Sequence, residues 1–95
     1  MGIAYVVGQI TVNDEGKWAE YRSKVPATFG PWGGEPVFRG KQFAALAGQC
    51  PHADVVVLRF PSTDALESWF KSPAYQALIP LRDAAAEVVL TAYEA

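Results

Sequence analysis

The stretch Phe60-Pro61-Ser62-Thr63-Asp64-Ala65-Leu66-Glu67-Ser68-Trp69-Phe70-Lys71-Ser72-Pro73-Ala74-Tyr75-Gln76-Ala77-Leu78-Ile79-Pro80-Leu81-Arg82 decides the fold. It reads as the end of a strand, a capped short helix, a restart at Ser72-Pro73 and a longer helix carrying Tyr75 and Arg82. Ser62 and Ser72 supply side-chain oxygens that accept from the free N–H groups of a first helical turn. Pro73 suits the first helical position, where its missing N–H costs nothing. Leu66, Trp69 and Phe70 form the apolar face of the first helix. Tyr75, Leu78, Ile79, Arg82 and Ala85 follow helical spacing in the second. Pro80 removes one hydrogen bond inside that helix and predicts a kink there.

Working outward, Val55 to Phe60 is the strongest strand pattern in the chain, and Glu87 to Tyr93 reads as the last strand. Ala4 to Val12 is the first. It is apolar on both faces, which is the mark of a strand covered on both faces. Asn13-Asp14 offers a helix N-cap. The helix that follows runs to Lys24 or Thr28, with Trp18, Tyr21, Val25 and Phe29 on one side. Gly30-Pro31-Trp32-Gly33-Gly34 ends it. Glu35–Arg39 and Gln42–Gly48 read as a hairpin about Gly40-Lys41, although Ala44, Ala45 and Ala47 have poor strand propensity. Gln49 to Asp54 is a loop. The order is β-α-β-β-α-β with the second helix broken in two, the ferredoxin-like α+β pattern. One sheet face takes the helices. The other is apolar and bare, an association site, so two copies packing sheet to sheet are expected.

Composition agrees. The 95 residues are 51% hydrophobic and include three tryptophans, four tyrosines and five phenylalanines. A single domain of this size buries roughly 60–65% of its unfolded surface, so this much apolar material points to a partner subunit. Net charge is −2 and no Lys/Arg cluster is present; nucleic-acid affinity comes mostly from phosphate neutralisation, so that class is excluded. No run reaches the roughly 18 apolar residues of a membrane span, and Met1 to Tyr5 lacks the basic start of a signal peptide. The single Cys50 forms no internal disulfide and fits a reducing compartment. The cytoplasm is the expected location.

Tyr5, Tyr21, Gly33-Gly34 before Phe38-Arg39-Gly40, Phe60-Pro61-Ser62, Trp69, Ser72-Pro73-x-Tyr75-Gln76 and Leu81-Arg82 together resemble domain-of-unknown-function family 1330. The resemblance spans nearly the whole chain. It implies a dimeric α/β barrel, a superfamily that includes cofactor-free monooxygenases, lactone isomerases, polyketide cyclases, dehydratases and haem-linked enzymes. Two segments depart from the pattern: the alanine-rich Phe43–Ala47 and the loop Gln49–Ala53.

Four sets of residues carry candidate chemistry. Arg59 interrupts an apolar strand, where alternation places it with Val55 and Val57; it lines a pocket and binds a carboxylate or enolate oxygen, or it reaches solvent or pairs with Glu67. Tyr75 and Arg82 are seven positions apart on one helix face; they point into one cleft, or Tyr75 is a core aromatic and Arg82 holds Asp83 or Glu87. His52 is the only histidine and lies two positions from Cys50; it moves a proton, or it is an exposed loop residue. Trp18, Tyr21, Trp32 and Trp69 line a cavity or fill the core, and Gly33 and Gly34 belong to a lid or to a rigid turn. A Cys-x-His pair alone is not a metal site, so neither metal nor resident cofactor is expected.

These readings converge on one ferredoxin-like domain, a homodimer with a small-molecule ligand. Arg59, Tyr75, Arg82 and His52 are the candidate catalytic groups. Tyr21, Trp18, Trp32, Trp69, Gly33 and Gly34 are the candidate ligand-binding residues. Isomerisation, cyclisation or dehydration of an apolar or aromatic carbonyl compound suits these groups. Cofactor-free oxygenation and non-catalytic ligand binding are the alternatives.

Overall fold

The computed structural model describes residues 2–95. β1 (Ala4–Val12) leads into α1 (Glu15–Lys24), α2 (Pro26–Phe29) and a 3₁₀ turn (Gly30–Trp32). β2 (Glu35–Lys41) and β3 (Asp54–Phe60) follow, then α3 (Thr63–Lys71), α4 (Pro73–Gln76), α5 (Ile79–Ala85) and β4 (Ala86–Glu94). The sheet has the order β2-β3-β1-β4 and all its neighbours are antiparallel. This is the ferredoxin-like βαββαβ arrangement. Its slab shape, 33 × 30 × 16 Å, is that of one helical layer on one sheet.

The helix starts follow the predicted chemistry. The Asp14 carboxylate accepts from the Lys17 N–H at 3.0 Å, and the Ser62 hydroxyl accepts from the Ala65 N–H at 3.0 Å. Ser72 Oγ accepts from the Tyr75 N–H at 3.3 Å and donates to the Trp69 carbonyl at 2.6 Å, so one side chain joins two helices. Caps of this kind contribute about 1 kcal/mol each.

Three expectations change. The alanine-rich Gln42–Gly48 is not a strand; β2 pairs directly with β3, from Glu35 opposite Arg59 to Lys41 opposite Asp54. Alanine offers little side chain to pack on a sheet, and the segment instead forms a loop with Phe43 and Leu46 almost fully exposed. The helix after Ser72 does not kink at Pro80 but breaks, because Pro80 cannot donate and takes a place in the first turn of a new helix, α5. Phe70 is 37% exposed rather than buried, although its ring still packs on Tyr75 at 5.6 Å.

The register assigns side chains to two faces. Ala4, Val6, Gly8 and Ile10 of β1 face the helices, as do Leu58 and Phe60 of β3. Tyr5, Val7 and Gln9 face the other way, with Val55, Val57 and Arg59 beside them and Val89, Thr91 and Tyr93 on β4. Among the described residues no helix covers this second face; the loop carrying Cys50 and His52 reaches only its end, beside Gln9, Thr11 and Val55. The core lies wholly on the helical side, where Phe60, Trp69 and Tyr75 are the largest fully buried side chains. No helix among the described residues is long and apolar enough to cross a membrane.

Candidate functional site

Between the helices and the sheet lies a cleft bounded by Trp18 and Tyr21 of α1, Phe29 of α2, Trp69 of α3, Tyr75 of α4 and Val56 of β3. Its interior is about 50 Å³, room for one or two waters. Outward it meets a larger depression of about 270 Å³, with which it shares Ile10, Trp18, Arg22 and Arg39.

Helical spacing on α1 turns Trp18 and Tyr21 to the same side, where their rings stack with centroids 5.1 Å apart. Trp69 packs on Tyr75 at 4.5 Å and on Phe60 at 5.2 Å. Its indole N–H donates to Thr28 Oγ1 at 3.0 Å, and the Thr28 hydroxyl donates to the Val25 carbonyl at 2.6 Å. The tryptophan is therefore fixed in position as well as buried. Every buried side-chain nitrogen and oxygen among the described residues has a partner.

The polar centre of the cleft is a chain of three groups. Arg82 Nη1 donates to the Tyr75 hydroxyl oxygen at 3.0 Å, and that hydroxyl lies 2.9 Å from the Tyr21 hydroxyl. Arg82 does not line the cleft; it stands behind Tyr75 and also donates through Nε to Asp83 at 3.1 Å. An arginine has donors only, so it occupies an acceptor site on the Tyr75 oxygen. Either hydroxyl can be the donor in the Tyr21–Tyr75 bond; with Tyr75 donating, the chain runs Arg82 to Tyr75 to Tyr21 and the Tyr21 O–H is free to face the cleft. Burial, and then the neighbouring Tyr75, hold the Tyr21 phenol well above its ordinary range. It is a neutral donor at physiological pH, not a phenolate base. Burial pushes the Arg82 guanidinium down, but its bonds to Tyr75 and Asp83 more than offset this and hold it above its ordinary value.

The cleft thus brings together Trp18, Tyr21, Trp69 and Tyr75, with Arg82 behind them. The other candidates lie elsewhere. Arg59 is on the uncovered sheet face, paired with Glu35 at 2.6 Å rather than with Glu67. His52 lies at the far end of β1, where Nδ1 is 2.8 Å from Thr11 Oγ1. Cys50 Sγ approaches the His52 carbonyl at 3.6 Å, not its ring. Trp32 is 38% exposed and outside the cleft. Gly33 has φ 76°, a left-handed conformation that favours glycine. A side chain at Gly34 would stand 2.7 Å from the Phe60 ring. Both glycines therefore serve a tight turn against Pro61 and Phe60. Among the described residues no group of three or more His, Cys, Asp or Glu side chains is placed to hold a metal ion.

Sequence reasoning missed Arg22 and Arg39, which line both depressions. Arg39 reaches the helical side because it pairs with Val56, after a bulge between Pro36 and Phe38. Burial, and then the charge of Arg22, push its guanidinium below its ordinary value. The irregularity itself carries no sequence signal beyond Pro36.

Comparison with known proteins places the chain in a family. Residues 3–95 match the domain of unknown function DUF1330, and the chain belongs to that family. None of the curated proteins matches it. Among solved structures, a protein of unknown function from Rhodopseudomonas palustris is similar with a TM-score of 0.84 and 19% identity, over 99% of this chain and 82% of that one. SnoaB from Streptomyces nogalater, described as a cofactor-independent oxygenase, superposes with a TM-score of 0.73 at 14% identity, over 100% of this chain and 94% of its own. A dimeric ferredoxin-like protein of unknown function from Thermobifida fusca gives a TM-score of 0.67 at 12% identity, over 99% and 92%. At these identities the likeness is one of fold.

Proposed function

We propose that the protein is a small-molecule enzyme that polarises the carbonyl group of an apolar or aromatic compound, in reactions of the isomerase, cyclase or dehydratase type, with its own side chains. The observation that carries this reading is the Arg82–Tyr75–Tyr21 chain, which ends in a neutral donor within an aromatic cleft. A donor fixed before the reaction, in a site that excludes water, stabilises negative charge developing on a carbonyl oxygen far better than the same donor in water. Tyr21 is the group that touches the ligand. Tyr75 and Arg82 position and polarise it.

The experiment is the enolisation of benzoylacetone, an aryl 1,3-diketone, followed by ultraviolet absorbance, with Tyr21 bonded to the carbonyl oxygen and a buffer base taking the α-proton. Acceleration over buffer is expected, with a loss of about 100-fold in Tyr21→Phe and a smaller loss in Tyr75→Phe. If the native protein gives no acceleration but binds the diketone, the cleft is a binding site without chemistry.

Cofactor-free oxygenation is a second reading. It draws on Trp18 and Trp69 in the cleft and on the description of the Streptomyces neighbour. Consumption of oxygen with an electron-rich polyphenol separates it from the first.

We further infer that the working unit is a cytoplasmic homodimer formed through the uncovered sheet face. Phe38, Val57, Val7 and Thr91 form one row across that face, and Glu35, Arg59, Tyr5 and Tyr93 another. Phe38 and Tyr93 are each more than half exposed. A 33 × 30 Å slab is broad enough to offer the roughly 800 Å² per partner that a stable pair needs. The Thermobifida neighbour is described as dimeric.

A further inference from the structure

We propose that the mouth of the cleft is a carboxylate-binding subsite in which Arg22 and Arg39 together hold the acid group of a ligand whose apolar body lies in the outer depression of about 270 Å³ against Ile10, Val12 and Trp18, with only a small group reaching the inner cleft beside Tyr21. The proposal rests on the reading of the same cleft as a small-molecule site and adds the class of ligand: an aryl or alicyclic acid that carries a carbonyl group at a distance from its carboxylate.

Arg22 comes from α1, next in sequence to Tyr21, and Arg39 from β2, opposite Val56 on the helical side. The two reach the same opening from different elements and line both its inner and outer parts. The ion pairs among the described residues join Lys24 to Glu20, Lys41 to Asp54, Arg59 to Glu35 and Arg82 to Asp83. Among the described residues neither Arg22 nor Arg39 forms an ion pair. Two like charges share a partly apolar opening, and burial, followed by the charge of Arg22, lowers the basicity of Arg39. An anion between them removes the repulsion and supplies the missing partner.

Other charges at the opening do not cancel this. Glu15, Lys41 and Asp54 line its outer part. Asp54 is held by Lys41 at 2.9 Å, which leaves Glu15 against two arginines. The chemistry of the walls selects the anion. The guanidinium fork matches a carboxylate with two parallel hydrogen bonds, and apolar surface continues directly inward to Val25, Phe29 and Val56. A bare inorganic anion has nothing to place there. The inner end of the cleft, about 50 Å³, presents the Tyr21 hydroxyl, so a bound acid has its carboxylate at the mouth and only a small uncharged group, such as its carbonyl, beside the donor.

The test compares 1-naphthylacetate with its neutral amide by isothermal titration at low salt. The acid is expected to bind about tenfold tighter than the amide, and salt is expected to narrow that difference. Arg22→Met with Arg39→Met is expected to abolish the preference while leaving the amide's affinity in place. Arg22→Lys with Arg39→Lys keeps the charge without the fork and is expected to retain part of it. Equal binding of acid and amide, a preference that survives the double methionine variant, or no saturable binding of the acid at millimolar concentration overturns the proposal. Tighter binding of 1-naphthyl phosphate than of the acid overturns the assignment to carboxylates. Tyr21→Phe separates this inference from the one on which it rests: the acid preference is expected to persist there, while the enolisation of benzoylacetone is lost.

Discussion

On the helical side of the sheet, Val6, Ile10, Leu58 and Phe60 are buried against aromatic rings, and every buried polar group has a partner. One residue further along the same strands, Tyr5, Val7, Val57 and Arg59 look outward with no helix above them among the described residues. Both faces are rich in apolar groups, but they stand differently in one chain. The first encloses fixed polar groups: Trp69 tied to Thr28, Tyr75 tied to Arg82 and Tyr21. The second carries an exposed ion pair, Arg59 with Glu35. A charge inside an apolar strand is thus no pointer to chemistry by itself. It needs the enclosure that strengthens electrostatic interactions. Tyr75, which looks like ordinary core, stands where enclosure and polarity coincide.

The sharpest contrast comes from truncating an aromatic on each face. Trp69→Ala is expected to cost about 3–5 kcal/mol of stability, read as a lowered midpoint in urea. Phe38→Ala should leave that midpoint nearly unchanged in dilute protein and weaken self-association instead. A large stability loss from Phe38 at every protein concentration would break the division between the faces. Next, Val57→Asp places a carboxylate in the middle of the uncovered face. A loss of at least ~2 kcal/mol of association is expected, seen in sedimentation as a shift from dimer to monomer with the far-ultraviolet spectrum retained. A dimer indifferent to this change would put the interface elsewhere.

Within the cleft, Tyr75→Phe leaves Arg82 and Tyr21 without their shared partner. The expected cost is about 1–3 kcal/mol, again from urea denaturation. Alkaline pH gives a further handle. The Tyr21 phenol is raised in the folded state, so its stabilising contribution is complete below the ordinary phenol range and is lost as pH rises above it. The native protein should lose stability above about pH 10, and Tyr21→Phe should lose less over the same interval. Equal alkaline slopes would contradict the burial argument. The smallest effect is expected from Arg59→Gln on the uncovered face, where the partner is solvent-exposed Glu35: no measurable change in midpoint for the isolated chain.

Much of the fold was legible because local signals agreed. Asp14, Ser62 and Ser72 mark helix starts by a hydrogen bond that needs only the next turn of chain, and Val55 to Phe60 admits little but a strand. The family resemblance carried the same topology. The misreadings arose where neighbours in space decide. Gly40-Lys41 suggested a turn, yet β2 continues through both residues because Asp54 and Val55 lie alongside to pair with them. Pro80 was expected to bend a helix, and chain geometry there allowed a new one to start. In the cleft, Tyr75 and Arg82 were legible from their seven-residue spacing and meet although two separate helices carry them. The Tyr21–Tyr75 bond joins residues 54 positions apart, beyond any local pattern. Arg39 was hidden by a register irregularity that reassigns alternate side chains to faces.

The central claim is that the Arg82–Tyr75–Tyr21 chain delivers a hydrogen bond to a ligand carbonyl. Infrared difference spectroscopy of bound 1-acetonaphthone, labelled with carbon-13 at its carbonyl, reads that bond directly. The account predicts a carbonyl stretch below its value in apolar solvent when the ketone is bound to the native protein, with return toward the solvent value in Tyr21→Phe and a partial return in Tyr75→Phe. A bound ketone whose stretch is the same in the native protein and in Tyr21→Phe would contradict it.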